Sequence, residues 1–242
     1  MPTVLVVGAN RGLGLQFALQ YLKKGCNVYG THRKESAHEA KEVGLLLRLC
    51  TLTLRGCLLL ESGAKTLTLD LGDEKSIQAA AEAFGDQPLD ILINCAAAGN
   101  ESPKWLDATP DEFMQRFKIS SVGPFLTVKP FYPQLKKSGS SLVVNISSNA
   151  GSISQNASGG NLTYRTSKAA LNMITVDLAR ELAPDKIALV AMSPEWVKTK
   201  MSAWTGPLEV DEAVTRMVKV IDVLDFSHTA TFVHRDGHTV DY

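Results

Sequence analysis

The sequence predicts an α/β chain built on a doubly wound parallel β-sheet with helices on both faces. Three observations carry that expectation. First, Val4-Leu5-Val6-Val7 runs into Gly8-Ala9-Asn10-Arg11-Gly12-Leu13-Gly14, after which Leu15, Ala18, Leu19 and Leu22 recur at helical spacing. Second, short apolar strands alternate with amphipathic helical stretches through most of the remaining chain. Third, 242 residues are enough to bury a sizeable core within one domain, and no composition shift divides residues 1–242.

The opening stretch reads as strand, glycine-rich turn and helix. Glycines let the chain reverse tightly and let a phosphate approach the backbone, while the helix start offers unpaired N–H groups to an anion. The spacing is Gly-x3-Gly-x-Gly rather than the better-known GxGxxG, so the kinship is one of mechanism. Taken alone, such a turn serves an ordinary strand-to-helix reversal equally well. Gly25 suits the position just past the helix end, and residues 27–31 form a second strand followed at once by His32-Arg33-Lys34. In a βαβ nucleotide site the end of that strand faces the adenosine ribose, where a basic residue binds a 2′-phosphate. Arg33, helped by Arg11 or Lys34, therefore favours NADP over NAD, with a solvated basic loop as the competing reading.

Residues 43–60 form a leucine-rich insert broken by Arg48, Thr51, Thr53 and Arg55. A membrane span wants about 20 apolar residues and tolerates a central arginine only at several kcal/mol, so a span is rejected. An extra hairpin, a helix of an enlarged crossover, a partner-binding surface and sequence foreign to the mature message all remain open. Alternation then resumes: strand 65–69 ending at Asp70, helix 74–84, buried strand 90–94, amphipathic helix 111–126, strand 142–146, helix 164–182, strand 187–192, helix 211–223 and strand 231–234. Right-handed crossovers of this kind place the ligand crevice at the carboxyl ends of the strands.

Composition narrows the partners. The 25 basic and 25 acidic residues cancel, so no bulk attraction to nucleic acid or anionic lipid is expected, and the partner is a small molecule. A first strand starting at Thr3 leaves no room for a secretory leader, which points to a cytoplasmic setting. Cys26, Cys50, Cys57 and Cys95 lack CxxC pairing and histidines at ligand spacing, so neither a metal site nor a disulfide framework is expected.

Two stretches carry the chemistry. Tyr164-Arg165-Thr166-Ser167-Lys168 sets a tyrosine and a lysine four residues apart, one above the other on a helical face. A neighbouring ammonium stabilises a phenolate, so the tyrosine is expected to titrate below its usual value and to act as general acid. Upstream, residues 143–151 deliver Ser147 and Ser148 at the end of a buried strand, where a hydroxyl can bond a substrate carbonyl. No GxSxG is present and no histidine is near in sequence, so serine as hydrogen-bond donor is favoured over serine as nucleophile.

These motifs together resemble the short-chain dehydrogenase/reductase family, and the Gly-Ala-Asn-Arg-Gly-Leu-Gly turn is most similar to its sniffer-type and C-factor-type carbonyl reductases. The resemblance rests on that turn, Asp70, Asn94-Cys95-Ala96-Ala97, Ser148, the Tyr164/Lys168 pair and Ser193-Pro194-Glu195-Trp196-Val197-Lys198-Thr199. It covers nearly the whole chain outside the leucine-rich insert. It implies a Rossmann-like fold and an NADPH-dependent oxidoreductase that reduces a small aldehyde, ketone or quinone.

By the same resemblance, Tyr164 would protonate the nascent alkoxide as hydride arrives, Lys168 would hold the nicotinamide ribose and depress the tyrosine, and Ser148 would orient the carbonyl. Gly8, Asn10, Arg11, Gly12, Leu13 and Gly14 would line the pyrophosphate side. Arg33 would take the 2′-phosphate, Asp70 and Leu71 the adenine, Asn94 the adenosine side, and Pro194, Val197 and Thr199 the carboxamide. Trp196, Met201 and Trp204 fall where the family has its substrate loop. A homodimer or homotetramer through the helices near Asp111 and Tyr164 is implied.

Three departures stand against this pattern. Ser120 occupies the place of a catalytic asparagine that holds a water in the proton relay. Glu195 replaces the glycine of a Pro-Gly pair, bringing a carboxylate near the cofactor. Pro130 is expected to interrupt its helix, at roughly 3 kcal/mol if interior. They motivate an alternative function, a catalytically weak NADP(H)-binding redox sensor or partner-binding protein, while a hydrolase using Ser148 lacks a partnered histidine.

Overall fold

Residues 1–34, 58, 59, 61–99 and 103–242 are described by the computed structural model. Among them, strands β1 (Thr3–Val7), β2 (Asn27–His32), β3 (Lys65–Thr68), β4 (Ile91–Asn94), β5 (Ser141–Ile146), β6 (Ile187–Ser193) and β7 (Thr231–His234) form one sheet. Its order is β3-β2-β1-β4-β5-β6-β7 and every pairing is parallel. Parallel neighbours need crossovers, and the helices that supply them cover both faces. This is the doubly wound, Rossmann-like architecture.

Alternation along β1 shows how the two cores are divided. Val4 and Val6 join one cluster with Phe17, Ala18 and Tyr21 of α1 (Gly12–Lys23) and Val214 and Met217 of the helix Val210–Ile221. Leu5 and Val7 point to the other face. There they meet Ile77 and Phe84 of α2 (Glu74–Phe84), together with Phe131, Leu135 and Ala179. A strand buried on both faces needs apolar residues at consecutive positions, which explains the unbroken run Val4 to Val7.

Local signals set the helix ends. Gly25 adopts φ 78° and follows α1, with its N–H bonded to the Leu22 carbonyl at 2.9 Å. Asp73 caps α2 by accepting from the Lys75 N–H. Thr109 and Glu112 form a reciprocal capping box at α3 (Pro110–Phe117).

The helix expected over 111–126 is instead a longer rod. α3 passes into a π-helical turn (Lys118–Val122) and then into α4 (Gly123–Ser138). Pro130 and Pro133 both lie inside α4, so the expected interruption at Pro130 does not occur. Each internal proline costs about 3 kcal/mol. Val128, Phe131 and Leu135 are buried on the sheet from the same helix, and each such side chain recovers about 1.5–3 kcal/mol. Packing therefore wins over the local proline cost.

α5 (Leu162–Glu181) crosses the sheet beside β6, and α6 (Val210–Ile221) packs on α1. Residues 43–57 and 60 of the leucine-rich stretch lie outside the described residues, as do Cys50 and Cys57. Leu59 is buried, and a Cβ at Gly30 would come within 2.8 Å of its Cδ1. Cys26 and Cys95 are free thiols.

Candidate active site

All strands run the same way, so their carboxyl ends share one edge of the sheet. That edge brings together Gly8 after β1, Thr31 near the end of β2, Asp70 after β3, Asn94 ending β4, Ser147 and Ser148 after β5, and Ser193 ending β6. Chain order reverses at β1, which pairs with both β2 and β4. A crevice opens outside the sheet at such a point.

The glycine turn is built for close approach. A Cβ on Gly14 would stand 2.1 Å from the Gly8 carbonyl oxygen, and one on Gly8 would stand 2.7 Å from the Ala96 Cβ. The Gly8 N–H donates to the Thr31 hydroxyl at 3.0 Å, which ties the turn to β2. α1 starts at Gly12 with Arg11 as an extended N-cap; no side chain caps it and its first turn carries no acid. Its first N–H groups thus point to a site suited to an anion. Asn10 is half-buried beside this turn, Leu13 packs against the core, and Arg11 and Arg33 are exposed.

Further along the edge, one Asp70 carboxylate oxygen accepts from the Gly72 N–H at 2.8 Å, and the Asp70 N–H donates to the Ser76 hydroxyl at 3.0 Å. The Leu71 side chain is buried in the core under Gly123, leaving only its backbone for a ligand. Asn94 donates from Nδ2 to Asn145 Oδ1 at 2.8 Å, and Asn145 donates to the Thr175 hydroxyl at 2.9 Å. Asn94 Oδ1 is buried and has no protein partner. The Asn145 and Thr175 links carry no local sequence signal, because they join residues on three separate elements.

β5 separates the roles of its two serines. The Ser147 hydroxyl is buried and donates to Asn172 Oδ1 at 2.6 Å. The Ser148 hydroxyl accepts from the Ala150 N–H at 3.1 Å and is hydrogen-bonded with the Tyr164 phenol. Gly151 allows this turn to press on α5, since a Cβ there would lie 2.8 Å from the Lys168 backbone carbon. The serine, tyrosine and lysine thereby meet.

Lys168 is 3% exposed; its Nζ donates to the Ile146 carbonyl at 2.7 Å and sits 5.9 Å from the centre of the Tyr164 ring. Burial pushes its ammonium down to about 8. Tyr164 is held above its ordinary value, first by burial, against the Ser148 hydrogen bond and the positive charge of Arg116. This corrects the expectation that Lys168 depresses the tyrosine. Desolvation dominates, and the groups acting downward are Ser148 and Arg116. Arg116 lies on α3, one helical turn before Ser120; that register was the only sequence signal for it.

Ser120 is buried in the π-helical turn, where its hydroxyl accepts from the Ala98 N–H at 3.2 Å. After β6, the Ser193 hydroxyl accepts from the Asn149 N–H at 3.0 Å and the Glu195 N–H at 3.2 Å, joining the β5 and β6 loops. Pro194 follows it; Val197 is buried, and the Thr199 N–H donates to the Ser202 hydroxyl at 2.9 Å. Trp196 and Trp204 are half-exposed, and Trp196 Nε1 donates to the Thr205 hydroxyl at 3.2 Å. Among the described residues, no group of three or more His, Cys, Asp or Glu is placed to hold a metal, and no helix is long and apolar enough to cross a membrane.

Comparison with known proteins defines the class to which this fold and site belong. The family model for short chain dehydrogenases matches residues 2–207, and the chain belongs to that family. The carbonyl reductase Sniffer of D. melanogaster superposes with a TM-score of 0.85 at 29% identity, covering 100% of both chains. The NADPH-bound carbonyl reductase from chicken fatty liver gives a TM-score of 0.86 at 30% identity over 100% of this chain and 99% of that one. C-signal of Myxococcus xanthus is 31% identical over 155 residues, which is 64% of this chain and 93% of that protein.

Short chain dehydrogenases are oxidoreductases; the chicken fatty liver reductase is NADPH-bound, and a short-chain dehydrogenase/reductase from Burkholderia multivorans, at 28% identity and a TM-score of 0.81, holds NADP. The residues present fit that group. The glycine cradle would be filled by a single Cβ, the start of α1 is uncapped, and Asn94 Oδ1 is a buried acceptor without a protein partner.

Proposed function

We propose that the chain, acting as one NADP-binding domain over residues 1–242, reduces a small aldehyde, ketone or quinone to the alcohol, with Tyr164 as general acid. The observation that carries this reading is the meeting of Ser148, Tyr164 and Lys168 at the strand ends beside the glycine cradle. When bound, the cofactor supplies the hydride. Gly8, Asn10, Arg11, Gly12, Leu13 and Gly14 hold its pyrophosphate side, Arg33 its 2′-phosphate, Asp70, Leu71 and Asn94 its adenosine side, and Pro194, Val197 and Thr199 its carboxamide.

Ser148 donates a hydrogen bond to the substrate oxygen and orients the carbonyl. Tyr164, held above its ordinary value by burial, keeps its proton at neutral pH and transfers it to the same oxygen as negative charge develops there. Lys168 remains largely protonated below about pH 8 and holds the nicotinamide ribose, while the Ser148 hydroxyl and the charge of Arg116 favour the phenolate that this transfer leaves behind. Ser120 stands in the relay position. A homodimer through α3 and α5 is part of the proposal, supported by the exposed Met114 and Met173 on those helices.

The test is NADPH consumption over a panel of aldehydes, ketones and quinones, with Tyr164→Phe alongside. The expected result is a loss of about 10²–10⁴ in turnover for the variant, with NADPH affinity unchanged within about twofold. Tight NADPH binding by the native chain with no turnover on any carbonyl would overturn the proposal and favour the sensor reading, to which the engaged Ser120 hydroxyl and Glu195 already lend support.

A further inference from the structure

The turn after β6 contains a conformational oddity with a specific remedy. Glu195 adopts φ 56°, in the left-handed region where a Cβ is crowded and glycine is favoured. Such a conformation persists only when its surroundings over-determine it.

The surroundings come from the far end of the chain. Glu195 Oε2 lies 2.7 Å from Arg235 Nη2 and 3.3 Å from His234 Nε2. Arg235 Nη1 donates to the Pro194 carbonyl at 2.8 Å, and the Arg235 N–H donates to the Ser193 carbonyl at 2.9 Å. One planar guanidinium thus holds the carboxylate of Glu195 and the carbonyl immediately before it. The fork geometry suits arginine and not lysine. The Arg235 side chain is 12% exposed and that of His234 5%, while that of Glu195 is 40% exposed, so water screens the pair from the carboxylate side only. Asp236 Oδ2 stands 3.9 Å from Arg235 Nε and 3.4 Å from His234 Nδ1, on the other side of the cluster.

We infer that Glu195 and Arg235 form a clamp that positions the 194–199 segment for the cofactor and neutralises the carboxylate placed beside it. Both are positioning residues. The clamp rests on the reading that Pro194, Val197 and Thr199 hold the carboxamide end. It explains how a carboxylate is tolerated in that turn: Arg235 supplies both the counter-charge and the backbone anchor.

A double-mutant cycle read by NADPH fluorescence titration, without substrate, tests this. Arg235→Ala is expected to weaken NADPH binding about tenfold in the native chain, because Glu195 then faces the site uncompensated. In a Glu195→Gly background the same change is expected to cost less than about twofold, since neither the carboxylate nor the strained side chain remains. Arg235→Lys should fall between the native chain and Arg235→Ala, and it serves the cycle in place of Arg235→Ala if thermal melts show the latter unfolded. An equal loss in both backgrounds, with Thr199→Val still weakening NADPH, would overturn the clamp alone. No effect of Thr199→Val on NADPH affinity would overturn the placement of the carboxamide on which the clamp rests.

Discussion

Lys168 shows how much a single buried charge decides at the residue scale. Its ammonium is buried beneath the β5 loop with the Ile146 carbonyl as acceptor, and burial lowers it from the ordinary lysine value to about 8. A lysine whose folded value lies below its unfolded one destabilises the folded state while both forms are charged. That cost fades as pH rises between the two values. At pH 7 it is about 3 kcal/mol. Lys168→Met should therefore stabilise the chain by up to about 3 kcal/mol at pH 7, and the gain over the native chain should shrink as pH rises from about 8 to about 10.5. Denaturant melts of both proteins across that range check it; a pH-independent difference contradicts it. Cys95, nearby, is pushed up to about 12 by burial, so its thiol stays protonated and unreactive at neutral pH.

The rod from α3 through α4 dominates at the element scale. Its π-helical turn shifts the register exactly where Ser120 and Ser121 turn inward, and the Ser121 hydroxyl donates to the Ser167 carbonyl of α5 at 2.7 Å. The rod and the catalytic helix are thereby locked together. Beyond the turn, Pro133 is exposed within α4 and contributes no N–H to the helix ladder. Pro133→Ala should restore that bond and raise stability by about 1–3 kcal/mol, a rise of about 2–10 °C in Tm for a chain of this size. Thermal melts decide it. An unchanged or lowered Tm would mean that the ring of Pro133 is packed in a way its exposure does not suggest.

For the whole molecule, the residues proposed to hold the cofactor follow the ends of β1 to β6, so binding there should stabilise the native state as a unit. At a hundred times its Kd, NADPH should add about 2.7 kcal/mol, or about 5–10 °C in Tm. NADH at the same concentration should add less, because it lacks the phosphate that Arg33 is proposed to read. Arg33→Ala should narrow the difference between the two cofactors, measured by the same melts; an undiminished preference would remove Arg33 from that role. Assembly is tested separately. Met173→Glu on the exposed face of α5 should halve the sedimenting mass if that face pairs two chains.

Most of the fold was legible in the sequence because each element announces itself over a few residues. The run Val4 to Val7, the Gly8 to Gly14 turn and the caps at Asp73 and Thr109 are local statements about backbone and burial. The Tyr164/Lys168 pair is local too, since four residues on a helix place two side chains on one face. What the sequence could not supply was the balance of forces on them. Whether an ammonium lowers a phenol or is itself lowered depends on how much water both lose, and that is set by the β5 loop, α3 and α5 closing together. The persistence of α4 through Pro130 depends in the same way on the sheet that Phe131 and Leu135 bury against. Local pattern alone sufficed for the architecture and for naming the residues proposed to carry the chemistry. Only the tertiary structure decided the protonation of Lys168 and Tyr164, the place of Arg116 beside them and the grip of Arg235 on Glu195, because desolvation and ion pairing act between elements distant along the chain.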